Sequence, residues 1–312
     1  MKARAYVNFA LIKYWGKKDE ERRLPHQSSL SFTVDKLYTD TLILFDDNLK
    51  EDNILINGNI NLEAEKRVVN YLNILREELN VKSYVHFSST NNVPTAAGLA
   101  SSASSFASIA LAFSKEAGLD LSKEELSRLA RLGSGSASRS IYSNFAIWKT
   151  GNDKTSVAKP LKIDWPEFRI IVLMIDTNKK RASSTNAMEI SVKNEELYSN
   201  WVKESKLDLE LMIKALNQKD IDLVGKIAEK NSNHMHDLIE STKITYKTKD
   251  SLKAIKRIEA LREKGISAYY TMDAGPNIKI ITTTKYVDDI LKEFDDIETL
   301  VCKSGDEAHI IK

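Results

Sequence analysis

The sequence predicts an α+β protein with two domains. A chain of 312 residues is too long for one ordinary hydrophobic core and suits two domains of about 150 residues each. Its predicted strands and helices follow no regular βαβ order, which favours an α+β architecture. The segment Trp165-Pro166-Glu167 is the best boundary, because proline interrupts both strands and helices. We therefore expect an N-terminal domain over residues 1–165 and a C-terminal domain over residues 166–312.

In the first of these domains, apolar patterning predicts a mixture of strands and helices. The N-terminal residues are typical of a first strand, and apolar residues predict further strands at 29–33 and 39–45. The pair Asn57-Gly58, with apolar residues on both sides, predicts a hairpin turn. The later elements expected here are a helix at 62–79, a strand at Tyr84–Phe87, an Ala- and Ser-rich helix at 98–114, and a helix that starts at the Ser122/Glu125 capping box and is interrupted by Gly133.

The second domain is expected to begin with a buried strand, because Ile170–Ile175 is fully apolar. Amphipathic patterns predict helices near 194–216, 219–239, 249–264 and 286–294, with strands near 267–272, 278–282 and the end of the chain.

Composition and charge indicate an ordinary globular protein. The chain is 42% hydrophobic and 29% charged, with a formal net charge of +2. This balance gives no reason to expect nucleic acid or a membrane surface as a partner. No apolar run reaches the roughly 18 residues of a spanning helix. The single cysteine, Cys302, excludes an internal disulfide, fits a buried strand position and favours a cytoplasmic location.

The segment from Pro94 to Ser105, PTAAGLASSASS, is the most informative in the chain. Gly98 would let the backbone approach a ligand closely, and the first N–H groups of the following helix would favour a phosphate. Ser101 and Ser102 add hydroxyls that could reach phosphate oxygens or a magnesium ion. The alternative is a Ser/Ala-rich helix selected for close packing. No GK[ST] ending occurs, so a P-loop fold is disfavoured.

Two further segments could contribute to a site. The loop Gly133-Ser-Gly-Ser-Ala-Ser-Arg139 could hold an anion with its backbone, and Arg139 could bind a carboxylate or phosphate through two nitrogens. Its alternative is a connection between helices with a solvated arginine. Asp273, in Met272-Asp-Ala-Gly-Pro-Asn277, lies at a strand end and could be a rigid general base. Its alternative is a residue that supports the turn.

Charged and aromatic residues cluster near the end of the first strand, in Lys13-Tyr-Trp-Gly-Lys17. The two lysines could neutralise a diphosphate, or they could be lysines that extend to solvent from a strand end. His234 and His236 are only a weak indication of a metal site, because side chains two apart point to different faces of a helix. We interpret these histidines as part of a solvated helix surface.

Taken in order, these segments resemble diphosphomevalonate decarboxylases, which belong to the superfamily of galactokinase, homoserine kinase, mevalonate kinase and phosphomevalonate kinase. The matching segments are ALIKYWGK (10–17), VPTAAGLASSAS (93–104), RLGSGSASRS (131–140), SST..M (183–188) and MDAGPN (272–277). They span almost the whole chain, and the first four together are highly specific.

The resemblance implies a GHMP-kinase-like α+β fold of two domains with the active site in the cleft between them. It also implies ATP and Mg²⁺, a homodimer, and residue roles at the matching positions. Those implied as catalytic are Asp273, Arg139 and Ser101, with Ser101 also at the metal. Those implied for substrate binding are Tyr14, Trp15, Gly16, Lys17, Ser134, Gly135, Ser136, Ala137, Ser138, Arg139, Ser184 and Thr185. Those implied for ATP binding are Arg67, Ser89, Asn91, Gly98, Leu99, Ala100, Ser101 and Ser102.

The activity implied is the ATP-dependent decarboxylation of (R)-5-diphosphomevalonate to isopentenyl diphosphate, with release of ADP, phosphate and CO₂. Asp273 would assist attack of the tertiary hydroxyl on the γ-phosphate, and Arg139 would align the carboxylate that leaves as CO₂. The alternatives are a decarboxylase of 5-phosphomevalonate, a kinase that stops at the 3-phosphate, or a non-catalytic relative that senses a ligand.

The chain departs from the family pattern at three places. Gln27 stands where asparagine is usual, Ser143-Asn144 replace a usual Gly-Gly, and Asn186-Ala187 replace a stretch that normally contains glycine. These changes affect the expected backbone shape, but none removes a charged catalytic group.

Overall fold

A computed structural model describes residues 1–58, 62–92, 101–176 and 183–312, and its mixed strands and helices confirm the α+β prediction. Its strands are β1 (Lys2–Ile12), β2 (Lys17–Asp19), β3 (Leu24–Pro25), β4 (Ser29–Asp46), β5 (Asn53–Ile56), β6 (Tyr84–Asn91), β7 (Phe145–Trp148), β8 (Ala158–Pro160), β9 (Phe168–Leu173), β10 (Tyr269–Met272), β11 (Ile278–Thr283), β12 (Thr299–Cys302) and β13 (His309–Ile311). Its α-helices are α1 (Leu62–Leu79), α2 (Ser101–Glu116), α3 (Lys123–Gly133), α4 (Ser184–Val192), α5 (Glu195–Gln218), α6 (Ile221–Glu240), α7 (Lys249–Glu263) and α8 (Val287–Glu293).

The larger sheet is built around the pairing of β1 with β4. Its strand order is β13-β1-β4-β6-β5, and β7 and β8 extend it from the first part of β4. β4 runs through both 29–33 and 39–45, so the two strands expected there are one long strand. It pairs with β7 through its first residues and with β6 through its last. One long strand therefore connects β7 with β6 in the larger sheet.

The hairpin expected at Asn57-Gly58 is wrong. Both residues have positive φ, as such a turn requires. However, β5 pairs in parallel with β6, and α1 lies between them in the chain. Parallel strands need a crossover rather than a two-residue turn, and α1 provides it.

The smaller sheet has the antiparallel order β10-β11-β9-β12. Both of its faces are covered. Ile278 and Ile280 of β11 pack with α7 and α8, whereas Ile281 faces the core shared with β1, β4, α5 and α6. A residue on either face of β11 is therefore buried.

Most helices confirm their sequence patterns. Ser122 caps α3 and exchanges hydrogen bonds with Glu125 as a capping box, and α3 ends at Gly133. A 3₁₀ segment, Gly135–Ile141, follows it. Elements that the sequence did not indicate are the short β2–β3 hairpin, β7, β8 and α4.

An aromatic core joins the two sheets. The rings of Phe32, Phe145 and Phe168 have centroids 4.7–5.1 Å apart and connect β4, β7 and β9. Cys302 belongs to the same core cluster and is buried, as expected. Among the described helices, none is long and apolar enough to cross a membrane.

Candidate active site

Two buried lysines hold one carboxylate where the two sheets meet. Lys13 follows β1, and its Nζ lies 2.8 Å from Oδ1 of Asp273. Asp273 follows β10, and its Oδ2 lies 3.1 Å from Nζ of Lys279 on β11. The two lysine side chains are 2% and 0% exposed. Charges buried this completely need an opposite charge beside them, and one carboxylate serves both lysines.

The pKa values of these groups reflect burial and their mutual charges. Burial lowers the pKa of Lys13 to about 8, although the neighbouring Asp273 charge opposes this shift. Burial alone would raise the pKa of Asp273, but the charges of Lys13 and Lys279 outweigh it and hold that pKa well below its usual range. Asp273 is therefore ionised at neutral pH and is a weak proton acceptor.

Arg139 is a buried guanidinium with neutral partners. Its Nε donates to Oγ of Ser31 at 2.9 Å and to Oδ1 of Asn8 at 3.3 Å, and a terminal nitrogen donates to Ser29. Burial lowers the pKa of Arg139 to about 10, which leaves it charged at neutral pH. Among the described residues, no carboxylate forms an ion pair with it. A ligand anion would satisfy this buried charge.

Buried amides and hydroxyls fix the backbone around these charges. Oδ1 of Asn231 accepts the N–H of Lys13 at 2.8 Å, and Asp208 orients that amide at 3.0 Å. Oγ of Ser232 accepts the N–H of Met272 at 2.9 Å, immediately before Asp273. Helix α6 therefore holds both sides of the ion pair in place.

Most of the predicted substrate residues line one cavity with Asp273. They are Tyr14, Trp15, Lys17, Ser134, Gly135, Ser136, Arg139, Ser184 and Thr185. Gly16, Ala137 and Ser138 do not line it. Gly16 has a φ of +86°, and a Cβ there would lie 2.0 Å from the hydroxyl of Tyr198, so its role is to permit a close turn. Ala137 and Ser138 are buried behind the lining residues.

The described members of the predicted ATP set line a second cavity, between β6, α1 and α2. They are Arg67, Ser89, Asn91, Ser101 and Ser102. Arg67 and Ser102 also line the first cavity, so the two cavities adjoin. The predicted residues Gly98, Leu99 and Ala100 lie outside the described residues.

The hydroxyls at the start of α2 are suitable for a magnesium ion that is held mainly by phosphates. Ser101 is the first described residue of α2, is exposed and lines the second cavity. Magnesium prefers oxygen ligands and commonly takes only one or two from protein, with phosphates and waters completing its shell. Within the described part of the chain, no group of three or more His, Cys, Asp or Glu side chains could hold a metal ion.

Three interpretations from the sequence are corrected by these contacts. Lys13 does not extend to solvent, because its ammonium is buried against Asp273. Arg139 is buried rather than solvated. His236 is 0% exposed and packs near the ring of Tyr246, so it is not part of a solvated helix surface.

The sequence reasoning missed several residues of the site. Lys279 looked like an ordinary strand residue, and no local signal distinguishes it. Asn8 and Arg23 line the first cavity from β1 and from the turn after β2. A lone asparagine in an apolar strand was a signal for Asn8, because buried polar groups need partners.

The departures from the family pattern fit the local backbone. Asn144 has a φ of +56°, a region that asparagine tolerates better than most residues. Asn186 and Ala187 lie in α4, whose N-cap Ser183 accepts the N–H of Asn186 at 3.2 Å. The amide of Gln27 donates to the backbone oxygen of Trp15 at 3.3 Å.

Family models match both halves of the chain. The diphosphomevalonate decarboxylase-like N-terminal domain matches residues 5–158. The mevalonate 5-diphosphate decarboxylase C-terminal domain matches residues 170–309.

Similar proteins and solved structures cover most of the chain. The diphosphomevalonate decarboxylase of Debaryomyces hansenii is 37% identical over 303 residues, which are 89% of this chain and 78% of that protein. The human one is 34% identical over 319 residues, 93% of this chain and 77% of that protein. A structure described as MDDEF in complex with MVAPP, AMPPCP and magnesium has a TM-score of 0.95, with 38% identity and coverage of 100% of this chain and 98% of that one. The mevalonate diphosphate decarboxylase from Staphylococcus aureus has a TM-score of 0.95, with 36% identity and coverage of 100% and 97%.

Proposed function

The chain belongs to the diphosphomevalonate decarboxylase family, and from this premise we propose that its site converts (R)-5-diphosphomevalonate and ATP into isopentenyl diphosphate, ADP, phosphate and CO₂. Neither the alternative activity on 5-phosphomevalonate nor a kinase that stops at the 3-phosphate is favoured by the similar proteins. One observation carries the proposal. The cavity contains a buried guanidinium without a carboxylate partner beside a carboxylate held by two lysines.

Arg139 would bind the carboxylate of the substrate. Its guanidinium is held from behind by Ser29, Ser31 and Asn8, so its direction is fixed before the ligand arrives. A planar guanidinium can bind a carboxylate through two parallel hydrogen bonds. Loss of CO₂ requires the carboxylate to lie along the direction in which electrons move into the new double bond. Arg139 would supply that alignment.

Asp273 would accept a hydrogen bond from the tertiary hydroxyl of the substrate. The low pKa of Asp273 makes it a poor base toward a neutral alcohol. In a loose phosphoryl transfer, however, the hydroxyl becomes acidic only as its bond to phosphorus forms, so little base strength is needed early. Lys13 and Lys279 would keep the carboxylate ionised and fixed in direction until then.

The residues of the second cavity would hold ATP with Mg²⁺. When bound, this group supplies the phosphoryl group that turns a poor leaving group into a good one. Ser101 and Ser102 would offer hydroxyls to phosphate oxygens or to the metal, and Arg67 would face the point where the cavities adjoin. Ser89 and Asn91 line the part of the cavity beside β6.

After phosphoryl transfer, the C3–O bond breaks and the 3-phosphate leaves with the bonding electrons. The tertiary carbon then carries positive character, and the C–C bond to the carboxylate breaks to supply electrons for the double bond. Its low pKa would let Asp273 pass the hydroxyl proton on to the departing 3-phosphate. The carboxylate, ionised again, would then stabilise the positive character of the carbon beside it.

The test is a coupled measurement of ADP and CO₂ with purified protein, Mg²⁺, ATP and either 5-diphosphomevalonate or 5-phosphomevalonate. We expect one ADP for each CO₂ with the diphosphate. ADP without CO₂ would identify a kinase that stops at the 3-phosphate, and CO₂ without ADP would contradict the mechanism.

We also propose a cytoplasmic homodimer whose domains are residues 1–165 and 166–312. Free, buried Cys302 supports a reducing compartment. The larger sheet takes every strand except β13 from the first segment, and the smaller sheet lies entirely in the second. Light scattering after size exclusion tests the dimer, cell fractionation tests the compartment, and limited proteolysis near residue 165 tests the boundary.

A further inference from the structure

A buried carboxylate on α5 lies behind the ion pair of the site. Asp208 is 1% exposed, and its Oδ1 accepts a hydrogen bond from Nζ of Lys230 at 2.8 Å. Its Oδ2 accepts from Nδ2 of Asn231, a fully buried residue of α6, at 3.0 Å. The Oδ1 of the same amide accepts the N–H of Lys13 at 2.8 Å. A chain of hydrogen bonds therefore joins the half-exposed Lys230 to the backbone of Lys13.

Asp208 determines which way the amide of Asn231 faces. The two ends of an asparagine amide have nearly the same shape, but the oxygen accepts hydrogen bonds and the nitrogen donates them. An ionised carboxylate can only accept, so Nδ2 has to face Asp208 and Oδ1 has to face Lys13. Oγ of Ser205 lies 3.3 Å from the same nitrogen, but a hydroxyl can donate or accept and does not select an orientation by itself.

Adjacent residues of α6 hold the two sides of the ion pair. Oγ of Ser232 accepts the N–H of Met272, immediately before Asp273, and Asn231 accepts that of Lys13. The hydroxyl of Ser232 can rotate to accept, whereas the amide of Asn231 needs a partner that fixes its direction. If that amide turned over, its NH₂ group would face the N–H of Lys13, and two donors would be left without an acceptor.

We propose that Asp208 is a positioning residue for the chemical step, because it orients Asn231 and thereby keeps Lys13 aligned on Asp273. This inference rests on the proposed function, which gives Lys13 and Asp273 their roles in the reaction. Neither Asp208 nor Asn231 is among the described residues that line the two cavities. Loss of the carboxylate should therefore slow the reaction without weakening the binding of ligands.

The first variant is Asp208→Asn, which offers one oxygen where the carboxylate offers two. The ammonium of Lys230 competes for that oxygen, which leaves an NH₂ group facing Asn231. The single-turnover rate should fall roughly 10- to 100-fold, as misplacement of reacting groups can cause. The Kd values of 5-diphosphomevalonate and of AMPPCP with Mg²⁺ should change less than about threefold. Glu204→Gln is the matched control, because Glu204 also accepts from Lys230, at 3.0 Å, but is partly exposed at the outer end of the chain of hydrogen bonds.

Two double variants separate positioning from stability. Asp208→Asn with Lys230→Met and Asp208→Leu with Lys230→Met both remove the ion pair, and neither leaves a buried charge unpaired, so both should fold. Only the first retains an oxygen that can accept from Asn231. We expect its single-turnover rate to lie within about threefold of the parent rate, and the second double variant to be as slow as Asp208→Asn. Equal rates in the two folded double variants would show that Asp208 only stabilises the protein and would overturn the proposal.

Hydrogen exchange of the Lys13 amide, followed by NMR, tests the same arrangement without turnover. Exchange should be faster in Asp208→Asn and in the Leu/Met double variant, and unchanged in Glu204→Gln and in the Asn/Met double variant. Unchanged exchange in Asp208→Asn would overturn the orientation of Asn231 by Asp208, even if the rate falls. A parent protein that forms no CO₂ would contradict the proposed function, while the expected pattern of exchange would still support the positioning of Lys13.

Discussion

Replacing Asp273 with asparagine separates the charge of this side chain from its shape. Asparagine keeps the size of the side chain, but it cannot carry the negative charge or take the proton of the tertiary hydroxyl. Positioning and proton-transfer effects are each worth roughly 10²–10⁴-fold in rate. We therefore expect kcat to fall by at least about 10²-fold, while the Kd of the substrate changes little, because Arg139 and the phosphate-binding residues remain.

The variant should still fold, although it leaves both Lys13 and Lys279 without their carboxylate partner. Burial already lowers the pKa of Lys13 to about 8. Without the carboxylate that pKa falls further, and at neutral pH the amine loses its proton instead of staying charged and buried. Removing one partner of a buried ion pair costs about 3–5 kcal/mol, against the roughly 5–15 kcal/mol that stabilise a typical domain.

Three measurements on Asp273→Asn together test whether the charge of Asp273 is needed for the chemical step. Thermal unfolding checks the fold, calorimetry gives substrate affinity, and single-turnover kinetics gives the chemical rate without product release. Asp273→Glu is the matched variant, since it restores the charge at a shifted position and should recover part of the rate. A folded Asp273→Asn protein that turns over within a few fold of the parent would show that Asp273 only supports the turn.

The other predictions concern Arg139, Ser101 and Lys13. Arg139→Lys keeps the charge but loses the planar two-point contact, so single-turnover rates should fall severely; a rate close to the parent would contradict the alignment role. Ser101→Ala should reduce kcat far more than AMPPCP affinity, because backbone N–H groups would still hold the nucleotide; an unchanged kcat would favour the packing interpretation of the Ser-rich helix. The kcat/KM should decline as pH rises through about 8, where Lys13 in the free protein loses its proton. Lys13→Met should remove that decline, and an unaltered pH profile in the variant would assign the titration to another group.

The parts of the fold that the sequence predicted are those set by local patterns. The 62–79 helix and the Ser122 capping box need only neighbouring residues, and both are as expected. Asn57-Gly58 also forms a local turn with positive φ. However, β5 pairs in parallel with β6, and α1 makes the crossover between these two strands. A turn pair identifies a change of direction, whereas strand pairing depends on contacts distant in sequence.

The same limit explains which site residues could be predicted. Asp273 and Arg139 lie in motifs with glycine or serine neighbours that mark an approach to a ligand. Lys279 has no such neighbours, and alternation along Ile278–Thr283 would place it on a solvated face. It is buried because the smaller sheet is covered on both faces, and its ammonium meets Asp273 and the backbone oxygen of Asn277 at 3.2 Å. That environment is created by packing between the two sheets, which no single segment reveals.

The two lysines give one carboxylate different properties at different stages of the proposed reaction. A carboxylate with a raised pKa would be a stronger base, but it would be neutral for part of the time and, once protonated, could not stabilise positive character at the tertiary carbon. Lys13 and Lys279 lower the pKa of Asp273 and so weaken it as a base. They also keep its negative charge in place when the 3-phosphate leaves. A loose phosphoryl transfer needs little base strength, whereas the later bond cleavage needs a negative charge. The low pKa of Asp273 suits that later step. With both lysines and Arg139 protonated, these four groups carry a net charge of about +2 beside the cavity, which matches a substrate that brings a carboxylate and receives a phosphate.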